Sequence, residues 1–327
     1  MKEMSKVKIY QKKAIKQIKN ELNLLSNLKH PLITNLYCAF QDKENLYLIM
    51  DYLSGGDLRE YIKNYHLCKE DEIKFIISNI IVIFEYLYDN NIIHRDLKPE
   101  NLIFDDNGYL HLTDFGIAMI YNKNKKIKKK SGTPYYVAPE IYDKKSKIRN
   151  FSMDYFSLGV IIYELIFGKK PYIGKNKIEL INEVQLKEVK VDLNDLPKIY
   201  NNKNLFCDFI NKLLKLNPKE RLGSINGIYD LKNHPLFENV NWDNILNKTI
   251  ISPFIKKKNN REKIISINSI NDDIIIDNYK EILDIINKAG YFKEYNYNYC
   301  ENKNNNNNNI SDDNLSTMNQ TNEKKML

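Results

Sequence analysis

Residues 92–102 read IIHRDLKPENL, and this run constrains the fold more than any other part of the sequence. Six of its side chains are polar or charged, although apolar sequence lies on both sides of them. A solvated surface loop is the simplest explanation for such a run. The sequence that follows, up to Gly116, favours a site that binds charged groups.

A β-hairpin is predicted immediately after this run. Residues 102–104 (LIF) and 109–112 (YLHL) are short apolar runs separated by DDNG. An Asn-Gly pair between two apolar runs is typical of a hairpin turn. Because a hairpin returns its ends to one place, we expect Asn101 and Asp114 to lie side by side, with paired residues about 5 Å apart.

These residues together suit phosphate chemistry. Mg2+ takes one or two protein oxygens and completes its shell with phosphate and water, so Asn101 and Asp114 are candidate ligands. Asp96, on the loop before the hairpin, would orient an attacking hydroxyl and accept its proton. Lys98 would neutralise charge on the transferred group. For any one of these residues alone, a polar turn with a buried ion pair is the alternative.

The chain resembles the eukaryotic protein kinases, whose motifs include HRDLKPEN (94–101), DFG (114–116) and APE (138–140). GTPYYVAPE, GGDL and the C-terminal segment are similar to the AGC group of Ser/Thr kinases. The resemblance implies an α+β, bilobal protein kinase-like fold. In it the small lobe is incomplete, the large lobe is mainly helical and an extended C-terminal tail follows.

The resemblance also implies four parts of the chain. They are a partial kinase small lobe ending at the hinge (1–53), the large lobe (54–237), an AGC-like tail (238–300) and a disordered Asn-rich terminus (301–327). Within the small lobe, apolar residues recur at steps of three and four from Lys13 to Leu28, which predicts an amphipathic helix. NLYLIM, at 45–50, predicts a strand.

The resemblance assigns a catalytic role to residues of these motifs. Asp96 would be the base, Lys98 would contact the phosphate, and Thr133 would support the base and help to select Ser or Thr. Asn101 and Asp114 would hold Mg2+.

The same resemblance implies ATP binding by residues of both lobes. Glu21 would pair with a lysine, and Lys2 is the candidate because MKEMSK resembles the end of the family's A-x-K pattern. The other residues expected to bind the nucleotide are Met50, Asp51, Leu53, Asp57, Ile103 and Asp114. Glu140 would pair with a buried Arg221, and Asp154 would brace the catalytic-loop backbone.

Three acids bear on the protein substrate. Asp57, Glu100 and Glu164 match positions that receive arginines in basophilic members of the family, so we expect substrates with basic residues near the target Ser or Thr. Each acid alone is compatible with an ordinary surface role.

The C-terminal sequence FKEYNY (292–297) resembles the motif with which AGC kinases dock their own tail on the small lobe. Phe292 and Tyr295 would be its anchors. Asn296 stands where a phosphorylatable residue is common, so we expect docking without a phosphate.

The sequence departs from the family at its start, since it holds no G-x-G-x-x-G loop and the first two strands are expected to be missing. A truncated sequence of an ordinary kinase and a degraded kinase both explain this. The alternative function is therefore a pseudokinase or scaffold. A second departure is Lys129, which stands where an activating phosphothreonine is frequent.

The remaining features bound the protein's partners and location. The net charge is +8, but 42 acids are mixed with 50 bases, which does not favour nucleic acid as a partner. The lysine-rich 123–130 segment leaves a basic surface that contacts nucleic acid or lipid as a third possibility. Four widely spaced cysteines and no signal sequence indicate a cytoplasmic or nuclear protein. The apolar runs 75–88 and 157–168 are too short for membrane spans and predict buried helices.

Overall fold

The computed structural model describes residues 1–64, 68–124, 131–143, 149–255 and 278–298. The predicted disordered terminus (301–327) and positions 125–130 of the lysine-rich segment, with Lys129, lie outside the described residues. The strands are β1 (Lys2–Ser5), β2 (Leu36–Gln41), β3 (Asn45–Met50), β4 (Ile92–Ile93), β5 (Leu102–Phe104), β6 (Leu110–Leu112), β7 (Met119–Ile120) and β8 (Tyr297–Asn298).

The α-helices are α1 (Lys6–Gln11), α2 (Ile15–Asn27), α3 (Leu58–Asn64), α4 (Glu70–Asp89), α5 (Ser152–Phe167), α6 (Lys177–Leu186), α7 (Lys203–Leu213), α8 (Ile228–Lys232), α9 (Trp242–Leu246) and α10 (Tyr279–Lys288). Short 3-10 helices lie at Pro99–Asn101, Pro139–Ile141 and Pro235–Phe237.

The chain divides into two compact units. Among the described residues, unit 1 comprises Met1–Asn27, Asn35–Asp51 and residues 278–298, and unit 2 comprises Leu28–Thr34 and the residues from Tyr52 to Ile255. Unit 1 contains a small sheet, and unit 2 consists mostly of helices. This combination of helix and sheet agrees with the predicted bilobal fold.

Unit 1 is built on an antiparallel sheet with strand order β1-β3-β2-β8. Strand β3 has the bounds predicted from its sequence, and its residues Leu46 and Leu48 are fully buried because alternate side chains point to one face. Lys2 pairs with Leu48, which fixes β1 beside β3.

The helical segment predicted from Lys13 forms α2, which begins at Ile15. Lys13 itself has a φ of 54°, in the left-handed region that ends the preceding helix α1. The amphipathic periodicity did not reveal α1, because its six residues are fewer than two helical turns.

The C-terminal residues of unit 1 contact its sheet. Strand β8 pairs antiparallel with β2, with Ala39 opposite Tyr297 and Cys38 opposite Asn298. The side-chain amide of Gln41 donates to the carbonyl of Phe292 at 2.6 Å. Phe292 and Tyr295 are 3% and 2% exposed, so both predicted anchors are buried within this unit.

The core of unit 2 is formed by long apolar helices. Most residues of α4 and α5 are buried, and both contain the runs that resembled membrane spans. Both therefore serve as core helices, as predicted. In the described parts of the chain we find no helix with the length and apolar character needed to cross a membrane.

The predicted hairpin is present in unit 2. Leu102 pairs with Leu112 and Phe104 with Leu110, and the connecting turn contains Asn107-Gly108. Gly108 has a φ of 76°, and a Cβ there would lie 2.7 Å from the backbone of Phe254. Glycine is therefore required both by the turn and by the segment that passes over it.

Candidate active site

Asp96 is the centre of the candidate site. Its Oδ1 accepts hydrogen bonds from the backbone N–H and the hydroxyl of Thr133, both at 2.8 Å. Its Oδ2 accepts from the ammonium of Lys98, also at 2.8 Å. The structure thus brings three of the predicted catalytic residues together, although Thr133 lies 37 residues away in sequence.

These hydrogen bonds control the charge of Asp96. Burial alone would raise the pKa of its carboxyl group, but the bonds from Lys98 and Thr133 outweigh burial and lower the pKa. Asp96 is consequently a carboxylate at neutral pH. It is a weak base in the ground state, with its two oxygens held in fixed directions.

The backbone of the loop is held from below by Asp154. The backbone N–H groups of His94 and Arg95 donate to its two carboxylate oxygens at 2.7 and 2.8 Å. Arg95 adopts a φ of 70°, an uncommon conformation for a residue with a side chain. The predicted bracing by Asp154 is confirmed, and it offsets the cost of this conformation.

The hairpin places the two predicted metal ligands near each other. The backbone N–H of Thr113 donates to the carbonyl of Asn101 at 2.9 Å, and Asp114 is the next residue. The Asn101 side-chain N–H donates to the carbonyl of Asp96 at 2.9 Å, so its amide oxygen points away from that bond. Asp114 is exposed and has a φ of 63°.

This donor set fits a hard cation. An amide oxygen and an exposed carboxylate would supply two oxygen ligands, and Mg2+ typically completes its shell with phosphate and water. Among the described residues, no cluster of three or more His, Cys, Asp or Glu side chains forms a metal-binding group. A site made of Asn101 and Asp114 does not require such a cluster.

Four of the predicted nucleotide-binding residues belong to unit 1. The Lys2 ammonium lies 2.8 Å from the carboxylate of Glu21, so the predicted pair is present. Met50 ends β3, and the Asp51 carboxylate that follows accepts hydrogen bonds from Asn35 at 2.8 Å.

Three others belong to unit 2. Asp57 and Ile103 are joined by an isolated antiparallel bridge, and Leu53 lies four residues before Asp57 and is half-buried. Asp57 also accepts a hydrogen bond from the backbone N–H of Glu60 at 2.7 Å, at the start of α3. Their contact with a nucleotide stays a prediction.

Sequence patterns alone do not reveal one charged residue close to this site. Arg59, on α3, lies 2.8 Å from Glu100 and 2.6 Å from Glu164. Two of the three acids expected to attract basic substrates are therefore already paired within the chain. The signal in the sequence is that Arg59, two positions after Asp57, has no acidic residue three or four positions away on its helix.

A separate ion pair connects distant parts of unit 2. Arg221 donates to both carboxylate oxygens of Glu140 at 2.7 and 3.0 Å, as predicted. Both side chains are buried, so this pair supports the segment that carries Thr133 without reaching solvent.

Comparison with known protein families gives one domain match. The model described as protein kinase domain matches residues 1–237.

Individual relatives agree with it. The chain is 37% identical over 263 residues to serine/threonine-protein kinase sgk-1 of Caenorhabditis elegans, covering 80% of this chain and 55% of that protein. It is 34% identical over 256 residues to serine/threonine-protein kinase Sgk1 of Homo sapiens, covering 76% and 57%. With the cAMP-dependent protein kinase catalytic subunit of Dictyostelium discoideum, the identity is 33% over 263 residues, covering 79% and 38%. The chain spans little more than half the length of the first relatives it matches.

Proposed function

The chain belongs to the protein kinase family, in its AGC group of Ser/Thr kinases, and from this premise we propose that it transfers the γ-phosphate of ATP to Ser or Thr hydroxyls of proteins. The observation that carries the proposal is the hydrogen-bonded Asp96 carboxylate between Lys98 and Thr133. Mg2+ is the proposed cofactor.

Asp96 acts on the acceptor hydroxyl. Its fixed carboxylate accepts a hydrogen bond from the substrate O–H and directs the oxygen toward phosphorus. Because its lowered pKa makes it a weak base, it takes the proton as the new oxygen–phosphorus bond forms. Thr133 holds the carboxylate in this direction, and Lys98 places positive charge beside the transferred group.

Asn101 and Asp114 are the proposed metal ligands. When bound, Mg2+ neutralises charge on the phosphate oxygens and orients them. The hairpin fixes both residues, since the pairing of β5 and β6 determines where the two strand ends lie.

ATP binding by the remaining residues is also a proposal. Lys2, held by Glu21, would contact the phosphates, and Met50, Asp51, Leu53 and Ile103 would border the adenine. Asp57, at the start of α3, would be near the nucleotide or the substrate. The pairing of Lys2 with Glu21 supports this assignment because it leaves an ammonium in a defined position.

The proposed substrates are proteins with basic residues near the target Ser or Thr, supported by the carboxylates of Asp57, Glu100 and Glu164. We further propose that residues 292–297 are a docking motif in cis, supported by burial of Phe292 and Tyr295. A cytoplasmic or nuclear location agrees with the described cysteines Cys38, Cys68 and Cys207, which are free thiols.

The proposal is tested with the purified chain, a fluorescent ATP analogue and a serine peptide. Mg2+ should strengthen nucleotide binding, and 32P should pass from ATP to the peptide. Asp114→Asn should reduce the Mg2+-dependent part of binding about tenfold, since it removes a charged ligand.

Asp106→Asn is the matched control, because Asp106 is an exposed aspartate in the turn of the same hairpin. It should bind and react like the unmodified chain. Nucleotide binding without any transfer would favour a nucleotide-binding scaffold, and loss of Mg2+ dependence in both variants would refute the ligand assignment.

A further inference from the structure

Arg59 joins two carboxylates that come from distant parts of unit 2. Its Nε donates to Glu100 at 2.8 Å, and its two terminal nitrogens donate to the two oxygens of Glu164 at 2.6 and 3.2 Å. The Tyr136 hydroxyl donates to the same Glu164 carboxylate at 2.6 Å and also contacts Arg59. The guanidinium therefore fills a fork of acceptors with bidentate geometry.

Arg59 and Glu100 shift each other's pKa. Burial lowers the pKa of Arg59, but hydrogen bonds to Glu164 and Glu100 outweigh burial and raise the pKa overall. For Glu100 burial raises the pKa, and the hydrogen bond from Arg59 is the main influence that lowers it. Glu100 is thus held as a carboxylate by a cation of the chain itself.

The position of Glu100 relates this group to the proposed reaction. Glu100 lies four residues after Asp96 on the same loop, and its side chain is 43% exposed. Four residues of extended chain span at most about 14 Å. A substrate whose hydroxyl meets Asp96 therefore needs only a few residues to reach Glu100, whereas the Glu164 side chain is buried and paired with Arg59.

We propose that Arg59 determines substrate selectivity by occupying, from within the chain, the place that a substrate arginine would take. This inference rests on the proposed protein kinase function and refines its substrate class. A peptide arginine gains the bidentate contact with Glu164 only by displacing Arg59. The chain therefore discriminates weakly between peptides with and without arginine at this position.

The net charge of these side chains predicts a different effect on peptide binding from the short-range contact with Glu164. Asp57, Glu100 and Glu164 are three carboxylates against the single guanidinium of Arg59, so a long-range attraction for basic peptides persists. That attraction depends on salt and tolerates lysine or arginine at several positions. The short-range contact that selects one arginine is the part that Arg59 removes.

The experiment compares two peptides that differ at a single residue. In both peptides, alanine replaces the phosphorylated residue. One peptide has arginine and the other has citrulline at the same upstream position. A set of such pairs places this residue at each of the four upstream positions in turn. Binding is measured by fluorescence anisotropy to the unmodified chain and to Arg59→Gln. Binding reports on the site even if no phosphate is transferred.

We expect the unmodified chain to bind the two peptides within about threefold of each other. Arg59→Gln should prefer the arginine peptide by about tenfold or more at one position, because a charge-assisted contact becomes accessible. The citrulline peptide should bind both proteins equally. The corresponding serine peptides should show the same change in kcat/KM.

Lys63→Gln is the matched control, since it removes one positive charge from an exposed position on the same helix. It should leave the arginine-to-citrulline ratio unchanged. An equal rise in this control would mean that net charge, and not occupation of the acceptors, sets selectivity, and would overturn the proposal.

Two other results would also overturn it. One is a strong arginine preference in the unmodified chain that Arg59→Gln does not increase, and the other is no preference in either protein. If Arg59→Gln fails to fold by circular dichroism, Arg59→Lys retains the charge without the fork and should raise the ratio about threefold. An unchanged ratio there contradicts the proposal. The expected binding change without phosphate transfer would instead support Arg59's role and refute the proposed catalysis.

Discussion

Two ion pairs of unit 2 contain similar groups but differ in access to solvent. Arg221 and Glu140 have side chains that are 0% and 1% exposed, whereas Lys98 and Asp96 are 21% and 12% exposed. In the first pair the guanidinium also donates to the carbonyls of Lys215 and Ser152, so its directions are used within the protein. In the second pair the ammonium has one carboxylate and one hydroxyl nearby.

The difference separates a pair that holds the fold from a pair that meets a ligand. Both charges of a fully buried pair have been removed from water. If one partner is replaced, the other charge stays buried without compensation, and the folded state is destabilised. A partly exposed pair can exchange a contact for one with a substrate at little cost. We therefore expect substitutions in the two pairs to affect different measurements.

The largest effect is expected for Asp96→Asn. The amide is nearly the same size but cannot accept the substrate proton, so kcat should fall by about 10³-fold. The midpoint of thermal unfolding should change little, because the loop backbone remains held by Asp154. Initial rates and calorimetry on the same preparation test this, and substantial remaining transfer would refute the role of Asp96.

Arg221→Met should give the opposite pattern. It leaves Glu140 as an unpaired buried charge and should lower the free energy of unfolding by about 3–5 kcal/mol. The double variant Arg221→Met, Glu140→Gln should recover part of this loss, because the stranded charge is gone. Urea denaturation gives both values, and a smaller loss in the single variant than in the double would contradict the comparison.

The sequence predicted those parts of this comparison that depend on short-range patterns. The hairpin at 102–112 follows from the Asn-Gly turn, and β3 follows from a compact apolar run. The pairing of Glu140 with Arg221, 81 residues apart, was expected only through the family resemblance. Spacing alone does not bring two such distant residues together.

Other features depended on packing that the sequence does not display. Arg59 meets Glu164 across 105 residues, and only the folded positions of α3 and α5 reveal that the acids are already paired. Residues 238–255, expected in a tail, belong to the same compact unit as the preceding helices. The Tyr109 hydroxyl connects this segment to the hairpin by donating to the carbonyl of Ile250 at 2.5 Å, a contact between residues 141 positions apart.

A buried histidine extends the comparison to a group that is favoured in its neutral form. Burial, followed by electrostatic interactions with His111 and Lys248, lowers the pKa of His30 to about 4. Its Nδ1 accepts the backbone N–H of Leu32 at 3.1 Å, and its ring packs on Tyr86. Between pH 4 and the ordinary pKa of histidine, about 6.5, the unfolded chain binds a proton that the folded chain does not.

Stability should therefore rise with pH across this window, by at most about 3 kcal/mol from His30. His30→Asn keeps an acceptor for Leu32 but does not titrate, so the slope of unfolding free energy against pH should decrease. Urea titrations at pH 4.5, 5.5 and 6.5 measure that slope. An identical slope in the variant would show that the pKa of His30 is not lowered.

The smallest effect is expected for Thr133→Val. This variant tests how much the partly exposed Lys98–Asp96 pair depends on the orientation of the Asp96 carboxylate. The variant removes the hydroxyl that donates to Asp96 at 2.8 Å but keeps the backbone N–H that donates to the same oxygen. Loss of one hydrogen bond to a charged group should lower kcat roughly tenfold, with little change in stability. Thr133→Ser restores the hydroxyl and should recover most of the rate. If valine and serine gave equal rates, the backbone N–H alone would be sufficient to orient Asp96. The partly exposed Lys98–Asp96 pair would then need fewer fixed contacts than the buried Arg221–Glu140 pair.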